Sequence, residues 1–89
     1  MTPSDDQISD ALMRLARQRG PERSFCPSEA ARGLSAEWRP LMPRIRALVA
    51  RLPLVATQRG VPVDPQGARG PIRLRLAPEA DQGRRGSRG

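Results

Sequence analysis

Residues 35–58 read SAEWRPLMPRIRALVARLPLVATQ, and the hydrophobic period changes inside them. Trp38, Leu41, Met42, Ile45, Leu48, Val49 and Leu52 share one face when projected at about 100° per residue, as in an amphipathic helix. Ser35 suits the N-cap, and Glu37 suits the positive end of the helix dipole. Pro40 and Pro43 each remove a backbone donor, so the spacing predicts a single turn at 36–39 and then a main helix to about residue 51, with a restart at Pro43 as the alternative. Arg39 and Arg46 border one side of the apolar face, Arg44 and Arg51 border the other, and Pro43, Ala47 and Ala50 point away from it. After Pro53 the period becomes 2, and LVATQ (54–58) reads as a strand.

Downstream, IRLRL (72–76) alternates cleanly, with Ile72, Leu74 and Leu76 on one face and Arg73 and Arg75 on the other. Pro71 stands at a strand start, where proline is tolerated. Between the strands, Asp64-Pro65-Gln66-Gly67 matches a type I turn. The two strands are expected to form a hairpin with an extended basic tip carrying Arg59 and Arg69.

Upstream, Ile8, Ala11, Leu12, Leu15 and Ala16 form one helical stripe. Ser4 with Gln7 fits a capping box, Asp5 and Asp6 suit the dipole, and Gly20-Pro21 is a stop, so helix 1 is expected over 5–19. A short helix 2 starts at Pro27 and stops near Gly33, with Ala30, Ala31 and Leu34 inward. Residues 77–89 lack periodicity and are expected to be a disordered basic tail. Three helices and a two-stranded β-hairpin make residues 1–76 an α+β winged helix-turn-helix, with helix 3 as recognition element and the hairpin loop as wing.

The stretches CPSEAAR (26–32), EWRPLM (37–42), TQRG-PVDP (57–65) and GPIRLR (70–75) resemble, in order, the motifs of a family of small bacterial proteins labelled only as a domain of unknown function. The resemblance spans roughly residues 6–76 and implies a winged-helix-like fold. It implies no activity, so no functional residue is carried over from it.

Formal net charge is +7, and its distribution is uneven. Residues 1–38 carry 5 Arg against 6 acids, whereas residues 39–89 carry 11 Arg against 3. Codon bias explains Arg in place of Lys, but not this asymmetry, which points to a polyanionic partner for the second half. The candidate nucleic-acid-binding residues are Arg39, Arg44, Arg46 and Arg51 on helix 3, Arg59 and Arg69 on the wing, and Arg73 and Arg75 on the last strand. Arginine binds phosphate bidentately and reads guanine in the major groove. DNA or RNA is the expected partner; the alternative is an acidic protein surface docked on helix 3 and the hairpin. Arg46 and Arg73 are expected to serve binding with little effect on stability.

Other classes fare worse. Cys26, the single cysteine, precedes a helix start, but the chain has no His, Lys or Tyr to serve as its base. It reads as a small, half-buried residue, and no enzyme activity is expected. With one Cys and no His, neither a metal site nor a cofactor is expected. No apolar run is long enough for a membrane span, and the polar, acidic start is unlike a signal peptide, so a cytoplasmic location is expected. Trp38 is expected to be the main core anchor.

Overall fold

A computed structural model describes residues 2–78. Three helices are followed by a small antiparallel sheet, the α+β arrangement of a winged helix-turn-helix.

Helix α1 (Asp5–Arg19) begins in the expected capping box. The Gln7 amide donates to Ser4 Oγ at 3.1 Å, and the Ser4 amide donates to Gln7 Oε1 at 2.9 Å. Its buried stripe is Ile8, Leu12, Met13 and Ala16, with Ala11 and Leu15 only partly covered. Helix α2 (Pro27–Leu34) runs one residue past Gly33, because Ser35 rather than the glycine adopts the non-helical cap conformation. Ala30 and Ala31 are buried, and small residues there let α2 approach α1 and α3 closely.

Helix 3 divides near the restart expected at Pro43, but its first turn lies at 39–41 instead of 36–39. A 3-10 turn at Arg39–Leu41 leads into α3 (Met42–Val49). Both prolines lie in first turns, where an amide would have no helical acceptor. Ser35 is no helix N-cap; its hydroxyl accepts from the Glu37 amide at 3.1 Å and shapes the turn between α2 and the 3-10 segment. The helix ends at Val49 instead of 51, and Arg51 and Leu52 bond back to Leu48 and Val49 in tighter turns ahead of Pro53.

The expected two-stranded hairpin is a three-stranded sheet of order β2-β1-β3, formed by β1 (Leu54–Gln58), β2 (Val61–Pro62) and β3 (Arg73–Leu76). Gln58 pairs with Val61 across Arg59 and Gly60, whose φ values are 53° and 82°. Two successive positive φ values define a type I′ hairpin turn, which matches strand twist. The turn residues are Arg-Gly instead of the usual Asn-Gly, and Pro62 hides the short strand, so the sequence reads as loop. In the 64–67 turn the Ala68 amide reaches Asp64 O at 2.9 Å and the Gln66 amide reaches Asp64 Oδ1 at 3.0 Å, a wider turn than type I.

The link between the helices and the sheet is Phe25. Its amide donates to Leu74 O at 2.7 Å, and the Leu74 amide donates back to Phe25 O at 2.8 Å. Both side chains are fully buried, beside Ile8, Leu12, Ile45, Val49 and Ile72. Trp38, by contrast, is only half-buried and packs on the rim of the core. It stands in the turn before the 3-10 segment, outside the regular helical spacing that would have turned it inward. Ala77 still belongs to the fold, buried and bonded through its amide to Pro53 O at 2.9 Å. Residues 79–89 of the expected tail lie outside the described residues.

Phe25→Ala is therefore expected to cost about 3–5 kcal/mol, and Trp38→Ala distinctly less. Equilibrium denaturation of the two variants checks this ranking; equal losses would restore Trp38 as the anchor.

Candidate nucleic-acid interface

The eight candidate arginines fall into separate groups according to what their guanidiniums already hold. Arg46 projects from α3 into the loop between β2 and β3. Its Nη1 donates to Ala68 O at 2.7 Å and, at 3.5 Å, to Pro65 O, while its Nη2 donates to Gly70 O at 2.6 Å. Three loop carbonyls thus converge on one cation. Arg73, on the solvent side of β3, donates from Nε to Ser24 Oγ and from Nη2 to Ser24 O, both at 3.0 Å. It straps the α1–α2 connection to the sheet beside the Phe25–Leu74 bridge. Both side chains serve the fold, in contrast to the expectation that removing them would leave stability almost unchanged.

Arg44 is half-exposed and pairs with Asp5 at 2.6 Å, joining α3 to the start of α1. Exposed ion pairs contribute little and weaken with salt, so this contact is easily exchanged. Arg75 lies opposite Val55 in the sheet, and its buried Nε has no hydrogen-bond partner. Arg39, Arg51, Arg59 and Arg69 are exposed, and no hydrogen bond or ion pair among the described residues engages their guanidiniums.

The wing is fixed in place. Gln58 Nε2 donates to Arg69 O and to Pro71 O, which brings the backbone at Arg69 beside the β1–β2 tip that carries Arg59. Arg46 bonds the residues on either side of Arg69, so the same loop is held against α3. Gln66, at the turn of this loop, lines a cleft of about 330 Å³ with Asp5, Arg44, Ala47, Ala50 and Arg51. The outward face of α3 is therefore the floor of a cleft walled by the loop, with Arg44 and Arg51 along it. From Arg39 to Pro78 the chain has eight Arg and one acid, Asp64, whose carboxylate serves its own turn.

Arg59 holds φ 53°, a left-handed conformation that favours Gly, Asn or Asp. A long cation kept there costs stability relative to those residues.

Cys26 caps α2 by its backbone. Its amide donates to Glu29 Oε2 at 3.0 Å, and its Sγ sits 3.0 Å from Ser28 Oγ. Glu29, the nearest carboxylate in sequence, also accepts from Arg19 at 2.7 Å. Both carboxylate oxygens are thus committed to donors. These bonds, first that to Arg19 and then that to Cys26, hold Glu29 below the usual carboxylate range. Among the described residues no group of three or more His, Cys, Asp or Glu could hold a metal ion, and no helix is long and apolar enough to cross a membrane.

The sequence reading missed Arg32. Its guanidinium lies 4.8 Å from the centroid of the Trp38 ring, and that of Arg39 lies 4.7 Å from it. The spacing of Arg32 from Trp38 across the α2–α3 turn carries no periodic signal that would have revealed this.

Two outcomes are expected. Arg46→Gln should lower stability by about 1–3 kcal/mol, because loop carbonyls lose a charged donor; a melting temperature equal to that of the wild type would contradict it. Glu29→Gln should narrow its stability gap to the wild type in acid. A lowered carboxylate pKa contributes fully above its ordinary value of about 4.3 and loses that contribution as pH falls through the lowered value. Denaturation from about pH 7 down to pH 3 checks the convergence; a gap that stays constant would refute the assignment.

No curated protein matches the sequence. Residues 5–77, most of the chain, match the family described as Protein of unknown function (DUF3253), so the chain belongs to that family.

Proposed function

We propose that this protein binds duplex nucleic acid, most simply DNA, through the α3 side of the fold and the wing. The observation that carries this is the set of open guanidiniums on a braced surface. Arg51 lies just beyond α3, and Arg59 and Arg69 sit together at the wing tip, all exposed and without internal acceptors among the described residues. Arg46 ties that wing to α3, so the backbone around Arg69 does not need to be ordered on binding. Arg44 joins them when a phosphate displaces Asp5. Phosphate neutralisation with counterion release then supplies most of the affinity.

The wall formed by the 64–70 loop narrows the approach to α3, and the helix has only 8 residues. Base readout would rest on arginine alone, so we propose binding with little sequence preference. Such a role is one of binding, with no catalytic step assigned to Cys26, in a compartment that holds nucleic acid, the cytoplasm.

An acidic protein partner is the second reading, favoured by the exposed Val61 on the edge strand β2. A partner retained after nuclease treatment would favour it.

A salt titration of duplex binding tests the proposal. Affinity should fall steeply with salt, and Arg51→Gln and Arg59→Asn should each reduce the log–log slope by about 1. Arg59→Asn should also raise the melting temperature, because Asn tolerates the left-handed turn. Low-salt affinity no better than that of an unrelated protein of equal charge would overturn the proposal.

A further inference from the structure

The turn between α2 and α3 carries a second arrangement of cations. Trp38 is half-buried, and the guanidiniums of Arg32, from the last turn of α2, and Arg39, from the 3-10 turn, stack on its ring at 4.8 and 4.7 Å. A cation–π contact engages the charge of the guanidinium without using up its N–H donors as hydrogen bonds to an oxygen would. No hydrogen bond or ion pair among the described residues engages those donors. The two cations lie within about 10 Å of each other and repel across a solvent-facing corner. Two guanidiniums are thus held on one ring, and no carboxylate among the described residues pairs with either.

We infer that Arg32, Trp38 and Arg39 form a phosphate-binding site. A phosphate group brings several acceptor oxygens and at least one negative charge, which match two guanidinium forks held on one ring. Holding the forks on the indole beforehand lowers the ordering cost of binding. Glu37 lines the adjacent cleft of about 370 Å³ with Ala36, Trp38, Arg39 and Pro40, and it makes no ion pair with either arginine. Its carboxylate is the internal competitor for the site. If the protein binds nucleic acid as proposed above, a backbone phosphate is the ligand, gripped at the turn that leads into α3; the other source is a free phosphorylated small molecule.

The sole tryptophan is the reporter. Trp38 emission is followed while inorganic pyrophosphate is added, against sodium chloride of equal ionic strength. In parallel, duplex affinity is measured by anisotropy of a labelled duplex. The wild type, Arg32→Gln, Arg39→Gln, the double variant and Glu37→Gln are compared after their melting temperatures are shown to be unchanged. The expected result is a saturable emission change with pyrophosphate that chloride does not produce and the double variant lacks. The double variant should also bind duplex about tenfold more weakly, whereas Glu37→Gln should bind pyrophosphate about two- to fivefold more tightly. A pyrophosphate response without duplex binding would support the site, assign a small phosphorylated ligand and sink the nucleic-acid function. Duplex binding unchanged in the double variant, together with emission that follows ionic strength alone, would overturn the site and leave that function standing.

Discussion

The reciprocal backbone bonds between Phe25 and Leu74 are the constraint on which the rest depends. A single residue of the α1–α2 connection becomes an extra position in the sheet beside β3. That pairing sets where α2 starts, since Cys26 and Pro27 follow at once. It also turns Ile72, Leu74 and Leu76 toward α1, with Ile8, Leu12 and Phe25 completing a core that has no other buried aromatic residue. Arg73 reinforces the seam from outside by grasping Ser24, and Arg19 with Glu29 closes α1 onto α2 nearby. A domain of this size buries little apolar surface, so a few well-placed polar contacts decide how its pieces meet.

The same logic separates the arginines. A guanidinium already surrounded by carbonyls is part of the fold, however basic its neighbourhood. Arg46 is the clearest case, because it draws the loop through Pro65, Ala68 and Gly70 onto α3 and so aims the wing. Of the eight candidates, Arg51, Arg59 and Arg69 remain open near the surface it organises, and Arg59 keeps its place there in spite of a backbone conformation that suits other residues better. The turn at Trp38 extends this pattern to the opposite end of α3, with planar charges held on an aromatic ring rather than on carbonyls.

How much of this was legible beforehand varies with the physics involved. Helix α1 was read to its boundaries because its stripe, capping box and Gly-Pro stop all agree. Strand β1 likewise matched at Leu54–Gln58. Strand β2 was hidden because Pro62 and an Arg-Gly turn look like loop, and its pairing depends on the partner strand. Trp38 falls outside the apolar stripe that the spacing suggests because two prolines reset the helix after it. The arginine positions were visible and their roles were not. Arg46 and Arg73 act on carbonyls and a serine far along the chain, and only the folded arrangement brings those acceptors within reach. Arg32 was overlooked for the same reason, since its partner is a ring across a turn.

The most direct measurement is an amide chemical-shift titration of the isotope-labelled protein with a short duplex at low salt. Shifts should concentrate at Trp38 and Arg39, at the end of α3 around Arg51, and at the wing around Arg59, Gly60 and Arg69. The outward face of α1 at Asp10, Arg14 and Gln18 should stay still. Shifts centred on that face of α1, or none at duplex concentrations that saturate an ordinary basic protein, would contradict the account.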